Sequence, residues 1–260
     1  MPASPCWVFS DAHLGAAPDA VEASVVEFLR AAAKSARCVI VNGDLFDFWF
    51  EWKSVIPRSS FRVLTALADA RAAGVEVIWI AGNHDCWGGD ILREDVGVEY
   101  HVGPWRGDIA NWKVLIEHGD GLRGAEDRRY RALRSLLRNP LAVRAFRWIH
   151  PDLGTRLALG SSHASRVHRA RDGGAGLRNV AMNLLQQDAS LDLVIFGHSH
   201  VATLERAPGG GAYANPGSWL DGSAFLEITR DRVALRRWGS PEHDGLHLIH
   251  RRAEKALSQL

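Results

Sequence analysis

The sequence predicts an α/β fold: a two-sheet core carrying a helical, basic insertion between roughly residues 122 and 180. Three observations lead there. Over the first 120 residues short apolar runs alternate with amphipathic stretches, the pattern of strands joined by helices in a largely parallel sheet. After Leu122 the pattern becomes helical and rich in arginine. From "LDLVIFG" onward it returns to short strands separated by turn residues.

Trp7-Val8-Phe9 is the first expected strand. Asp19 to Ala33 follows as a helix, because Val21, Val25, Phe28 and Leu29 recur on one face. Cys38 to Val41 is a second strand, Arg62 to Ala73 a second helix, Val75 to Ile80 a third strand and Val114 to Ile116 another. Arg128 to Leu137 places Tyr130, Leu133 and Leu137 on one side of a helix, with Arg131, Arg134 and Arg138 on the other. Pro140 and Pro151 divide the residues up to about Arg169 into two or three short helices. "RDGGAG" is a flexible joint, and Leu177 to Gln187 is helical again. The C-terminal third, with "VATLERAPGGGAYAN", "AFLEIT" and "RVALRRW", reads as a β-meander. The core therefore covers residues 1-121 and 181-260, and the insertion 122-180.

The chain has 260 residues, 47% apolar and 23% charged, which fits one large domain or a domain with an insertion and excludes a disordered chain. No apolar run approaches the roughly 18 to 20 residues that span a bilayer. The N-terminus "MPASPCWVFSDAHLG" lacks the basic and long apolar regions of a secretory signal. Cys6, Cys38 and Cys86 are odd in number and widely spaced, which suits a reducing, cytoplasmic setting. The net charge of +1 hides an asymmetry: Leu122 to Val180 holds 13 Arg, no Lys and four acidic residues, a surplus of +9 balanced by −8 elsewhere. Such a segment points to an anionic partner.

The ends of the strands carry the chemistry. In order they are Ser10-Asp11-Ala12-His13, Gly43-Asp44-Leu45-Phe46-Asp47, Gly82-Asn83-His84-Asp85, His118-Gly119-Asp120 and Gly197-His198-Ser199-His200. Ligand sites of open α/β sheets form at such ends. Taken singly, each is an ordinary turn or cap, and a lone buried histidine is more often a hydrogen-bonded core residue. His198 and His200 carry more weight, since alternation puts both rings on one side of an extended chain. Together the five point to a metal centre. Carboxylate, imidazole and amide-oxygen donors without a thiolate suit Mn, Fe or Zn. Seven ligands with one shared carboxylate make two adjacent sites, the arrangement that activates water and clamps the oxygens of an in-line phosphoryl displacement.

As a set, Asp-x-His, Gly-Asp-x-x-Asp, Gly-Asn-His-Asp, a lone His and Gly-His-x-His resemble the motifs of the calcineurin-like metallophosphoesterase superfamily, over about residues 6 to 120 and 190 to 240. The resemblance implies a two-sheet αββα sandwich. It implies Asp11, His13, Asp44 and His200 around one divalent ion, and Asn83, His118 and His198 with the shared Asp44 around a second, Mn²⁺ before Fe or Zn. His84 would touch the substrate phosphate and protonate or stabilise the leaving oxygen, with Asp85 orienting it. Asp47 and Asp120 read as carboxylate partners of the histidines.

"SDAHLG", "GDLFDFW" and "HGDGL" are further similar to the UDP-2,3-diacylglucosamine diphosphatases of lipid A synthesis. That similarity implies a helical lid after the lone histidine, with Asp127 and Tyr130 matching an Asp-x-x-Tyr substrate-binding motif. It implies cleavage at the nucleotide-side phosphorus, giving UMP and a diacylglucosamine 1-phosphate. Leu133, Leu136, Leu137, Phe146, Trp148 and Ile149 could then line an acyl groove, Arg166 could contact phosphate or glucosamine, and Phe46 and Phe48 read as core packing. The expected setting is cytoplasmic, with the arginine-rich lid peripheral to an anionic inner-membrane surface. One departure stands out: the best-known branch of that family has Arg where this chain has His84. The alternative reading is a generic metal-dependent phosphodiesterase acting on nucleotides or nucleic acid. Nucleic acid is disfavoured, because the insertion's aromatics Tyr130, Phe146 and Trp148 are few and sit on apolar faces. A scaffold without metals is disfavoured because no ligand is missing.

Overall fold

The structure, a computed structural model, describes residues 5–124, 126–166, 172–240 and 247–250, with side chains for all of these but 129, 159–166 and 247. In chain order the elements are β1 (Cys6–Phe9), α1 (Asp19–Ser35), β2 (Cys38–Asn42), α2 (Phe61–Ala72), β3 (Glu76–Ile80), β4 (Glu99–His101), β5 (Trp105–Ile109) and β6 (Trp112–Ile116). Three helices follow, α3 (Arg128–Leu137), α4 (Pro140–Phe146) and α5 (Pro151–Arg166), and then α6 (Ala175–Gln187). The remainder is β7 (Leu193–Ile195), β8 (Thr203–Arg206), β9 (Ala212–Asn215), the one-turn helix α7 (Trp219–Gly222), β10 (Ala224–Ile228), β11 (Arg232–Arg237) and β12 (His247–His250).

Seven strands form one sheet in the order β12-β11-β10-β1-β2-β3-β4, and five form another in the order β5-β6-β7-β9-β8. The sheets pack face to face through Val8, Ile40, Ile78 and Leu226 on one side and Ile116 and Ile195 on the other. Outside the first sheet, α1 and α2 bury Phe28, Leu29 and Leu67 against Phe9, Val39 and Trp79. Outside the second, α6 lays Leu177, Ala181 and Leu185 on Val194, Phe196 and Tyr213. The result is the four-layer αββα sandwich. Because both faces of β1 and β2 are covered, every residue in them is buried, which explains their unbroken apolar runs.

Several sequence expectations change in detail. Only β1 to β4 run parallel in the first sheet; β10, β11 and β12 extend it antiparallel. The C-terminal strands are not one meander, because the β8–β9 hairpin belongs to the second sheet and β10–β11 to the first. The crossing between them carries residues 216–218 past the strand ends described below. The strands β4 and β5 escaped sequence reading: the first has three residues, and the second, "WRGDI", is a polar edge strand. The helix α6 starts at Ala175 and packs on the core, although its first residues fall within the range read as insertion.

The insertion is joined to the core by polar ties. Trp87 Nε1 donates to the Leu137 carbonyl at 3.0 Å and Trp52 Nε1 to the Ile149 carbonyl at 3.2 Å. The helix α4 starts cleanly because Asn139 Oδ1 accepts from the N–H groups of Leu141 and Ala142, with Pro140 in the first turn. Among the described residues no helix is long and apolar enough to cross a membrane. The three cysteines are free and buried.

Phe28 sits at the centre of the α1 face. Its ring meets Trp7, Phe9, Trp219, Phe225 and Trp238 at centroid distances between 4.7 and 5.4 Å. Phe28→Ala should therefore lower unfolding free energy by about 3–5 kcal/mol. Denaturant unfolding measures this, and a loss below about 1 kcal/mol would contradict the packing.

Candidate metal centre

The carboxyl ends of β1, β2 and β3 and the loops after β6 and β7 converge, so residues distant in sequence meet at the edge shared by the two sheets. The backbone pays locally for this. Asp11, His13, Asp44, His198 and His200 all have φ between 46° and 61°, the left-handed region. Non-glycine residues there cost on the order of 1–3 kcal/mol each and persist only where the surroundings hold them. His198 and His200 therefore do not share a side through extended alternation; they diverge into two of the three groups that could hold a metal ion.

Those groups are Asp11 with His13 and His200, Asp44 with His118 and His198, and His13 with Asp44 and His84, the offered atoms of each lying within 4.8 Å of one another. Both carboxylates are divided by the same device. Asp11 Oδ2 accepts the His198 N–H at 3.1 Å, leaving Oδ1 at 3.1 Å from His200 Nε2. Asp44 Oδ1 accepts the His84 N–H at 3.0 Å, leaving Oδ2 at 3.2 Å from His118 Nε2 and 4.0 Å from both His13 Nε2 and His84 Nε2. One oxygen anchors a neighbouring ligand loop and the other faces the cluster.

Cations fit these residues. Asn83 Oδ1 is buried with no hydrogen-bond partner, a costly state for a polar atom, and the buried Asp11 Oδ1 and His118 Nε2 meet only His200 Nε2 and Asp44 Oδ2 of the same cluster. His13 Nε2 and His200 Nε2 face each other at 3.3 Å, close enough for two lone pairs to share a cation. Burial would raise Asp11, but His200 and His118 outweigh it and bring its carboxyl down to about 2. Burial opposes charge on His118 too, yet Asp44 pulls it well above the usual imidazole range. The cluster favours added positive charge, which divalent ions supply.

A second ring of groups aims the ligands. His118 Nδ1 lies 2.9 Å from the Asn42 carbonyl, Asp47 Oδ1 lies 3.5 Å from His13 Nδ1, and Asp221 Oδ2 lies 3.7 Å from His200 Nδ1. The Asp85 carboxylate accepts from Gly82 N–H at 2.7 Å and Leu45 N–H at 2.9 Å, so it braces two ligand loops. The His84 ring is oriented instead by the Asp47 carbonyl, 2.8 Å from Nδ1. Burial and the nearby Asp44 raise Asp85 to about 6. Asp120, expected to partner a histidine, accepts from Tyr130 Oη, Arg134 and Arg138 of the insertion.

Two glycines are fixed by close approach. A Cβ on Gly82 would stand 2.1 Å from Asp44 Oδ1, and one on Gly43, where φ is +81°, 2.3 Å from His118 Nδ1. Sequence reading missed the strap formed by residues 215–218. Asn215 Nδ2 donates to the Gly197 carbonyl, Ser10 Oγ to the Gly217 carbonyl and Ser218 Oγ to the Asp11 carbonyl. This joins the Asp11 loop of one sheet to the His198 loop of the other. Its visible signal was "ANPGS", a turn cluster directly after a strand.

A cavity of about 410 Å³ is lined by Asn83 and His84 on the core side and by residues of the insertion. Leu133, Leu136, Leu137 and Phe146 line it as expected, but Trp148 is 87% exposed and Ile149 is not part of the wall. Phe46 is core, stacked on Trp49 at 5.3 Å. Phe48, also read as core, turns to the cavity and meets Trp87 at 5.8 Å. Tyr130 reaches the cavity, whereas Asp127 is 4% exposed and takes three donors from Arg123. Arg134 and Arg138 line the cavity too, rather than the opposite face of α3. The Arg166 side chain lies outside the described residues.

If Asp44 belongs to both ion sites and Asp11 to one, Asp44→Ala should lower bound Mn²⁺ from two ions per chain to below one, and Asp11→Ala to about one. Metal analysis after dialysis measures this, and equal losses in both variants would contradict a shared carboxylate.

Three similar curated proteins share one name. A UDP-2,3-diacylglucosamine hydrolase of Porphyromonas gingivalis (strain ATCC BAA-308 / W83) is 35% identical over 167 residues, 63% of this chain and 64% of that protein. Proteins with the same name from Bordetella pertussis and Xanthomonas oryzae pv. oryzae are 28% and 26% identical, over 75% and 88% of this chain and 77% and 97% of theirs. Among solved structures, a dimetal phosphatase from Danio rerio aligns over 91% of this chain and 96% of its own at 14% identity, with a TM-score of 0.49. The model of the calcineurin-like phosphoesterases matches residues 4–202, well over half the chain, and the chain belongs to that family.

Proposed function

We propose that this phosphoesterase hydrolyses the diphosphate of UDP-2,3-diacylglucosamine at the nucleotide-side phosphorus, releasing UMP and 2,3-diacylglucosamine 1-phosphate. The observation that carries the reading is the apolar cavity lined by Asn83 and His84, beside the metal-binding groups. A generic diester needs no such chamber; two acyl chains do. The names borne by relatives at 26–35% identity support the same substrate.

Asp11, His13 and His200 would hold one divalent ion and Asn83, His118 and His198 a second, with Asp44 between them. When bound, the pair supplies an activated water and neutralises charge on the phosphoryl oxygens. The donor set suits Mn²⁺. His84 works from a fixed pose. The Asp47 carbonyl can only accept, so Nδ1 carries a proton and Nε2 faces Asp44 and the reacting phosphorus. In this substrate the leaving group is itself a phosphate monoester, whose second pKa is about 6, so it needs little protonation at neutral pH. His84 then serves in its imidazolium form, with a proton on each ring nitrogen, donating from Nε2 to the phosphoryl oxygens as charge builds.

That distinguishes two roles. His84→Ala should lower kcat about 10–100-fold, and His84→Arg, a fixed cation, should restore most of it. If the arginine variant is as slow as the alanine variant, His84 is a proton donor. Steady-state release of UMP measures both.

Metal-stripped protein, assayed with and without Mn²⁺ on UDP-2,3-diacylglucosamine and on bis-p-nitrophenyl phosphate, tests the substrate. Mn²⁺-dependent UMP release far above turnover of the diester is the expected result. Turnover of the diester alone would overturn the lipid assignment.

The outer surface of the insertion supports a peripheral contact with anionic membrane. Leu141, Trp148 and Leu153 are 77%, 87% and 54% exposed, among Arg144 and Arg147. Apolar side chains beside arginines suit an interface of headgroups and acyl chains. Trp148→Ser combined with Leu141→Ser should reduce co-sedimentation with phosphatidylglycerol vesicles several-fold; unchanged binding would remove the lid from the membrane contact.

A further inference from the structure

We propose that Arg134 of α3 and Arg138, which caps its C-terminus, form a binding site for a phosphate monoester carried on an apolar tail, located where the cavity meets the metal-binding edge. This rests on the lipid-nucleotide reading and identifies what would hold its leaving phosphate.

The first observation is an excess of donors. Asp120 Oδ2 accepts from Tyr130 Oη at 2.6 Å, Arg134 Nη1 at 3.2 Å and Arg138 Nη2 at 3.5 Å; Arg134 Nη1 also reaches the Asp120 carbonyl at 2.7 Å. No other carboxylate lies within 4.0 Å of either guanidinium among the described residues. Two cations thus share one anion. Each guanidinium has five N–H donors in a planar fork, and their protein acceptors are Asp120 and, for Arg138, the Cys86 thiol, which leaves donors open. Arg138 Nε is buried without a partner. A buried charged donor left unsatisfied is costly, and a doubly charged oxyanion would satisfy several at once.

The second observation is place. Arg134 stands in the last turn of α3 and Arg138 caps its C-terminus four residues on, and both guanidiniums reach the same Asp120 oxygen. Leu133 and Leu137 form an apolar stripe of α3. All four line the cavity that Asn83 and His84 also line, and the arginine side chains remain 30% and 22% exposed. A cationic patch continuous with an apolar chamber matches an amphiphile with an anionic head. Simple fastening of the insertion to the Asp120 loop would need one guanidinium and no open donors.

The test compares two ligands with the same tail. Dodecyl phosphate and dodecyl glucoside are titrated calorimetrically, below micelle formation, into Mn²⁺-loaded protein. Wild type should prefer the phosphate by about tenfold or more, the usual worth of charged hydrogen bonds. Arg138→Gln should bring the preference to within about threefold while leaving the glucoside affinity in place. Arg138→Lys keeps the charge but loses the fork, and should lower the preference about threefold; it carries the test if the Gln variant does not fold. Equal affinity for the two heads in wild type, or a preference untouched in the folded variants, overturns the site. UMP release by the same preparation separates the two readings. Arginine-dependent preference without UMP release leaves this site standing and removes the substrate. UMP release with an arginine-independent preference removes this site alone.

Discussion

The Asp44 carboxylate is the interaction on which the rest of the site depends. One oxygen is tied to the backbone of the β3 loop, and the other is approached by His118, His13 and His84, which arrive from three different segments. For that to happen Asp44 takes a left-handed backbone at the end of β2, and both Gly43 and Gly82 must lack a side chain. Burial alone would favour a neutral acid; the imidazoles outweigh it and hold the carboxyl well below its ordinary range. A concentrated negative charge, surrounded by nitrogen donors and short of positive charge, is what a pair of divalent ions completes.

The two sheets divide this work. The first supplies Asp11, Asp44 and Asn83 from parallel strands whose buried runs leave little freedom in register. The second supplies His118, His198 and His200. The 215–218 strap crosses between the sheets and fixes the Asp11 loop against the His198 loop, so the relative placement of the two ligand sets rests on hydrogen bonds rather than on sheet packing alone. The insertion is attached at the same edge: Asp120 stands two residues beyond His118 and gathers Tyr130 and Arg134 of α3 and Arg138 at its C-terminal cap. The walls of the apolar cavity are thereby positioned by the loop that carries His118 of the candidate metal group.

Much of this was legible in the sequence, for definite reasons. Strands covered on both faces leave unbroken apolar runs, so β1, β2 and β3 could be read within a residue or two, and Arg128 to Leu137 was read to the residue. The polar residues ending those runs had no packing role to explain them. What escaped was set by tertiary context. The left-handed backbones separate His198 from His200, and no local pattern encodes that. Asp85 and Asp120 look like histidine partners in sequence but turn to backbone amides and to the insertion. The aromatic run after Asp44 divides, with Phe46 and Trp49 in the core and Phe48 and Phe50 toward Phe146. Short or polar edge strands such as β4 and β5 lack the apolar signal altogether.

The proposed function couples hydrolysis at the candidate metal groups to acyl chains in the adjacent cavity, and chain length probes that coupling directly. The measurement is kcat/KM for UMP release from UDP-2,3-diacylglucosamines whose acyl chains lengthen stepwise, with Mn²⁺ present. Each buried methylene contributes about 0.8 kcal/mol, so kcat/KM should climb about fourfold per carbon until the 410 Å³ cavity is filled, then level off. A rate independent of chain length would contradict the account, because the chamber lined by the insertion would then take no part in binding the substrate.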